Sequence, residues 1–331
     1  KFSNAAAKFG LAETEAMRRE AERLLRDAVA RAFHGLQLAK ENVAIAEADM
    51  AFNERQLHDA RARQRVQTGS LSDTLNFEVR LRSAKAALLE ARNEIEIARI
   101  GLAALMGLPD ARLPENVHAA PLEEETEDNL KAPEAAPLIE RAALQRPDLE
   151  RARFGVERST ALHKGTKSVY YPRVSAFVSE SWRRSDDSSF RDDDRSATVG
   201  LQASFTFFAG GRNRAAVAES RYAVSEAEYT LADALIAVNA EVRQAAADVA
   251  TAQMQLLLQR ENTQYVERNR DLVEKEYNAG GRTASLTRLN QAQRDLIEAQ
   301  GRLAQARVAL RQSWHTLRTA TGDTVIKNLD E

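Results

Sequence analysis

The chain of 331 residues is 44% hydrophobic and 29% charged with a formal net charge of -2, a balance without the basic excess that phosphate binding to nucleic acid requires. It has no cysteine, which excludes disulfides and thiolate metal sites. All seven prolines fall between Pro109 and Pro172, and the two proline-free flanks, rich in Ala, Leu, Glu, Arg and Gln, have the composition of long helices.

Residues 3 to 67 are predicted as one helix, because Ala5, Phe9, Ala12, Ala16, Leu24, Ala28, Ala32, Leu36, Val43, Ala46, Met50, Leu57 and Ala60 recur at steps of three and four. At 1.5 Å per residue it is roughly 100 Å long, more than an ordinary globular domain holds. Thr68-Gly69-Ser70 breaks it, and a second helix from about Leu71 to Met106 folds back until Gly107 and Pro109 stop it. Five of the prolines and the acidic run EEETED lie between Leu108 and Gln145, a composition that reads as a solvated linker with short helical pieces. A short helix is expected from about Asp148 to Lys167.

The period then changes. In YYPRVSAFVSESW, Val174, Ala176, Val178 and Trp182 fall on one face and Ser175, Phe177, Ser179 and Ser181 on the other. RRSDDSSFRDDDRSA, residues 183 to 197, has turn composition and lacks the ligand spacing and glycine of a calcium loop. A second strand places Val199, Leu201, Ala203, Phe205 and Phe207 on one face, which completes a hairpin. Gly210-Gly211 is the expected strand-to-helix turn. From Arg212 a proline-free helix runs to about Ala279, AGGRT interrupts it, and a last helix covers about Ala284 to Thr321.

The second half repeats the first, with a shift of about 211 residues before the tip and about 215 after it, a difference of one helical turn. The second copy is preceded by a hairpin and a Gly-Gly turn, whereas the first begins at Lys1, where that turn would just have ended. An N-terminal hairpin is therefore expected to be missing from the chain as given.

Apolar positions dominated by Ala let long helices approach closely while burying little area each, so packing against further copies is expected. Strands of about nine residues with one apolar face have the length and alternation of a transmembrane barrel strand, with Tyr170, Tyr171 and Trp182 as interfacial aromatics. The same alternation fits a half-buried soluble hairpin. Two strands cannot close a barrel, so the membrane reading also needs partner chains.

RPDL at 146 to 149, YYPRVS at 170 to 175, FTFFAGGRNRAAV at 205 to 217 and the two copies of long helix, tip and shorter helix together resemble the TolC-type outer membrane factors of Gram-negative bacteria. The resemblance covers essentially the whole chain. It implies a mainly α fold with a small β part: long antiparallel helical hairpins forming an α-barrel tunnel in the periplasm, and β-hairpins of a trimeric transmembrane β-barrel. The expected segments are a first helical repeat at 1 to 107 without its preceding hairpin, an equatorial linker at 108 to 147, a short helix and transmembrane hairpin at 148 to 211, a second repeat at 212 to 322 and a C-terminal tail at 323 to 331. The implied function is passive: a homotrimeric exit duct of a tripartite efflux or type I secretion system, driven by an inner-membrane pump of RND, ABC or MFS type through a periplasmic adaptor.

On that resemblance Val174, Ala176, Val178, Val199, Leu201, Ala203, Phe205 and Phe207 face outer-membrane lipid. The tips, with Thr68, Gly69, Ser70, Leu71 and Asp73 in the first and Gly280, Gly281, Arg282, Arg288 and Asn290 in the second, meet the adaptor and narrow the pore. Several relatives carry an aspartate in a Val-Leu-Asp-Ala stretch of the second tip, where this chain has Arg288-Leu289-Asn290-Gln291. Weaker block by cations is expected in consequence.

No catalysis, cofactor or metal is expected. His34, His58, His118, His163 and His315 read as isolated surface histidines, and AGGR at 209 to 212 lacks the glycine spacing and Lys-Ser/Thr pair of a phosphate loop. The competing reading is a periplasmic coiled-coil adaptor or scaffold. An adaptor carries a lipoyl-like or barrel segment of short strands between its helices, and only one hairpin stands there.

Overall fold

The computed structural model of the protein describes residues 2–115, 117, 119–122, 125–182, 195–279 and 285–323. Six helices and one antiparallel hairpin follow in the order α1 (Phe2–Arg65), α2 (Leu71–Leu105), α3 (Ala135–Gln145), α4 (Pro147–Thr166), β1 (Arg173–Trp182), β2 (Arg195–Ser204), α5 (Arg212–Asn278) and α6 (Leu286–Ala320). They divide into two compact units, Lys1–Arg18 with Pro147–Ile236 and Arg19–Arg146 with Ala237–Glu331.

In the first unit, α4 holds the opening turns of α1 and of α5. Arg158 Nη1 pairs with Glu13 Oε2 at 3.0 Å, and His163 Nδ1 lies 2.8 Å from Ser220 Oγ. Since the Ser220 hydroxyl donates to the Val217 carbonyl at 3.0 Å, it accepts from His163 Nδ1–H. Pro147 supplies the fixed φ of a first helical turn, and the Asp148 carboxylate accepts from Leu149 N at 2.9 Å.

The hairpin register pairs Arg173 with Ser204 through to Trp182 with Arg195. Val174 stands opposite Ala203, Ala176 opposite Leu201 and Val178 opposite Val199, so the six residues form one apolar face across both strands. Ser175 with Gln202 and Ser179 with Thr198 lie on the other face, beside Phe177, which covers Gly200. A Cβ on Gly200 would meet the Phe177 ring at 2.6 Å, so the glycine is the seat of that ring. Nearly every strand residue is exposed.

The second strand begins at Arg195, inside the stretch expected to be turn, and ends earlier than predicted. Phe205 and Phe207 lie beyond its last residue, Ser204, with their rings edge to face at 5.0 Å. The reason lies opposite: Pro172, next in the register after Arg173, has no N–H to extend the ladder. Gly210 and Gly211 then take φ of 58° and 82°, a left-handed pair that turns the chain into α5.

The second unit packs the remaining lengths of α1 and α5 with α2, α3 and α6. Near the tips Phe52, Leu57, Ala60, Phe77, Val273, Leu289 and Ala292 form one buried cluster. Farther along, Leu36, Leu102, Ala103 and Leu113 form another. Because the seams are built largely from alanine, polar pairs fix the register: Gln56 Nε2 donates to Glu274 Oε1 at 2.8 Å and Gln293 Nε2 to Asp49 Oδ1 at 2.8 Å.

The proline-rich segment has the short helical pieces expected of it, but it is held against the helices rather than left solvated. It contains α3, and its carbonyls, which lack a ladder of their own, are taken by side chains of the long helices. Gln37 and Lys40 donate to Ala120 O and Ala119 O at 3.0 and 3.1 Å. Gln253 Nε2 donates to Asn129 O and Lys131 O, both at 2.9 Å, and Trp314 Nε1 to Asn129 O at 3.0 Å. The Glu125 carboxylate, 2% exposed, lies between Arg260 at 2.6 Å and Arg307 at 3.0 Å.

Candidate functional site

At the first tip α1 unwinds over Gln67, whose φ is 59°. The N–H groups of Thr68 and Gly69 donate to Arg63 O at 3.0 and 3.1 Å, which satisfies a carbonyl left open at the helix end. Ser70 caps α2 by accepting from Ser72 N at 3.0 Å. Leu71 is exposed, and Asp73 stands in the first turn of α2, where the helix dipole favours a carboxylate. Beside this tip, Glu54, Leu57, His58, Arg61 and Leu81 border an open groove of about 780 Å³.

Of the second tip, Gly280, Gly281 and Arg282 lie outside the described residues. Ser285 caps α6 by accepting from Arg288 N at 3.2 Å, the same device as Ser70 in the other copy. Arg288 Nη1 lies 3.5 Å from Glu276 Oε2, so its charge has a counterpart on α5. Asn290, 7% exposed, donates to Asn76 Oδ1 at 3.0 Å and thereby ties α6 to α2. Arg63 sits over the Tyr277 ring at 4.8 Å, and burial raises the pKa of that phenol. Residues of both tips thus meet in one unit. The Asn76–Asn290 bond is not legible in the sequence; it joins an exposed asparagine near the start of α2 to a buried one near the start of α6.

Two arginines hold the other end of α6. Arg23 Nη1 donates to Thr319 O at 2.6 Å and Arg146 Nη1 to Ala320 O at 3.0 Å, placing cations on the last carbonyls of the helix. Arg146, 5% exposed, also pairs with Glu241 Oε2 at 2.6 Å. This gives the first residue of RPDL a physical role. Replacing Arg146 with alanine is expected to cost about 2 to 3 kcal/mol in urea unfolding, because Glu241 and the buried Ala320 carbonyl lose the one Nη1 that serves both.

His118 lies outside the described residues, and three other histidines differ from the isolated surface groups expected: His34 Nδ1 lies 2.9 Å from Gln37 Oε1 in a half-buried site. His315 is partly buried with Nε2 3.7 Å from Asp27 Oδ1, and its pKa is lowered first by burial. His163 is bonded to Ser220, and its pKa is lowered by burial and then by the charges of Lys167 and Arg221. Among the described residues no group of three or more His, Asp or Glu could hold a metal. No described helix is long and apolar enough to cross a membrane.

The hairpin carries its apolar face uncovered: Val174 is 69% exposed, Val178 78%, Val199 79% and Leu201 81%. On the same face, toward the ends of the strands that join at residues 183–194, Arg195 pairs with Glu180 and lies over the Trp182 ring at 5.8 Å.

A helical repeat with capped tips, joined through a double-glycine turn to strands with an unsheltered apolar face, defines the class: a mainly α protein whose small β part carries the pattern of membrane-barrel strands. The family model described as outer membrane efflux protein matches residues 138–323, and the chain belongs to that family. It is 25% identical over 313 residues to outer membrane efflux protein BepC of Brucella suis biovar 1, covering 94% of this chain and 66% of that relative's length. Among solved structures, the fold matches VceC of Vibrio cholerae with a TM-score of 0.79 at 18% identity, over 96% of this chain and 74% of that one. It matches the open state of MtrE of Neisseria gonorrhoeae with a TM-score of 0.79 at 20% identity, over 97% and 71%. CusC gives 0.81 at 18% identity, over 97% and 73%. These likenesses carry the fold: a mainly α chain with a small β part. The family is one of efflux channels rather than enzymes.

Proposed function

We propose that the chain forms part of a passive exit duct in the outer membrane, three copies lining one conduit, with cargo driven by an inner-membrane pump of RND, ABC or MFS type through a periplasmic adaptor. The observation that carries this reading is the exposed apolar face of the hairpin in a chain of the outer membrane efflux protein family. A monomer has no use for six uncovered aliphatic and small residues in register, whereas a bilayer covers them. The strands meet lipid through Val174, Ala176, Val178, Val199, Leu201 and Ala203, with Phe205 and Phe207 at the junction below. The protein is expected to leave membranes only with detergent and, in a Gram-negative cell deprived of its own duct, to restore dye efflux together with its pump and adaptor. Complete extraction without detergent would overturn the reading.

Thr68, Gly69, Ser70, Leu71 and Asp73, with Gly280, Gly281, Arg282, Arg288 and Asn290, are assigned to the pore entrance and adaptor contact. The cap hydrogen bonds at Ser70 and Ser285 support a fixed tip shape, and the inward-facing Asn290 serves to hold the tips together rather than to face the pore. Glu276 offsets part of the Arg288 charge, and no carboxylate stands at Asn290. Hexamminecobalt is therefore expected to block conductance in bilayers only weakly, and Arg288→Asp, which reverses the exposed charge of the second tip, to strengthen the block; tight block of the unmodified channel contradicts the assignment.

A further inference from the structure

The junction where the hairpin joins the helices is basic. Residues 159 to 179 and 204 to 218 contain no Asp or Glu, yet outside the strands they carry Lys164, Lys167, Arg212 and Arg214, and Arg221 follows one turn beyond, two residues after the exposed Glu219. All five side chains are exposed, and none makes an ion pair with another described residue. Two of them flank one tie between the helices: His163 is bonded to Ser220 at 2.8 Å, Lys167 lies one helical turn after His163, and Arg221 is the residue next to Ser220 on α5. Around them stand exposed aromatics, with Tyr170 at 50% and Tyr171 at 72%, and Phe207 and Phe208 at the start of the turn into α5. Cations beside amphipathic rings, directly below an apolar strand face, are the residue types that settle at the headgroup level of a bilayer.

We propose that this junction is a collar for anionic phospholipid, in which Lys167 and Arg221, with His163 beside them, hold the phosphate headgroup of a lipid in the leaflet nearest the helices, while Tyr170 and Tyr171 lie in the same interface. This rests on the hairpin entering a membrane, and it adds a lipid preference that an apolar face alone does not produce. A free phosphate ion shares the chemistry, but it has no use for the tyrosines or for the adjoining aliphatic face, so the lipid headgroup is the occupant that the whole surface fits.

The full chain in detergent is mixed with vesicles of phosphatidylcholine alone and with vesicles in which phosphatidylglycerol replaces part of it. Flotation then measures how much protein each vesicle captures, at low and at high salt. Both kinds should capture the protein, the anionic kind more tightly, with an advantage that shrinks in salt. Each cation near an anionic surface corresponds to roughly a fivefold change in binding. Lys167→Gln with Arg221→Gln should therefore reduce the advantage by on the order of tenfold or more, while Lys167→Arg with Arg221→Lys keeps it. Equal capture by both vesicles, an undiminished advantage in the glutamine pair, or loss of the advantage to competing inorganic phosphate overturns the collar. Failure to float with either vesicle overturns instead the membrane reading on which it rests.

Discussion

Val199→Arg is expected to prevent insertion of the hairpin into a bilayer, whereas Thr198→Arg, one residue earlier, leaves insertion nearly unchanged. The two positions are neighbours in sequence but occupy opposite faces: Val199 stands across from Val178 and Thr198 across from Ser179. Val199 is also close to the middle of β2, whose ends are Arg195 and Ser204, where a lipid-facing charge is most deeply buried in hydrocarbon. An arginine on the lipid face at that depth costs about 2 to 4 kcal/mol, and across three proposed copies about 6 to 12 kcal/mol. On the other face the guanidinium reaches the lumen and its water. Folding into vesicles, read as protection of the hairpin from added protease, separates the two variants. Equal behaviour would mean that the apolar face is not the lipid face, and the membrane role would lose its main support.

That contrast turns on register, which is the most legible property of this segment. A period of two assigns every strand residue to a face once a single one is known, and the six aliphatic and small residues predicted for one face share it in the structure. The helices were legible for a similar reason. Alanine and leucine at steps of three and four set α1 and α5, while Gly69-Ser70, Gly107 and Pro109 mark where chains must turn. Ends were less legible when the cause lay on another strand, as with Pro172 opposite Phe205. Least legible were the tertiary polar pairs. Nothing in EEETED distinguishes Glu125 from its neighbours, and Asn76 and Asn290 are 214 residues apart. Periodicity reports which face is apolar, but it does not report which carboxylate or amide finds a partner across the bundle.

Glu125 offers the second large effect, because its pairing is lopsided. The carboxylate side chain is 2% exposed, while its partners Arg260 and Arg307 are 42% and 21% exposed. Removing a partner and removing the carboxylate are therefore not equivalent. Arg307→Ala leaves a buried anion with one guanidinium that water already reaches, and breaking a buried pair in this way costs about 3 to 5 kcal/mol. Glu125→Ala leaves two cations that can turn toward solvent, so a smaller loss of about 1 to 2 kcal/mol is expected. The double variant should fall well short of the sum, since the orphaned anion no longer exists. Urea unfolding of the four proteins measures the cycle, and a Glu125→Ala cost equal to or above that of Arg307→Ala contradicts it. The same cycle has a local readout. Gln253 and Trp314 hold the carbonyls of Asn129 and Lys131 a few residues along, so an unpaired Glu125 pulls toward water a segment that side chains of the helices hold in place. Limited proteolysis between residues 112 and 134 should then quicken in Arg307→Ala before the long helices are cut, because their own hydrogen bonds survive the loss.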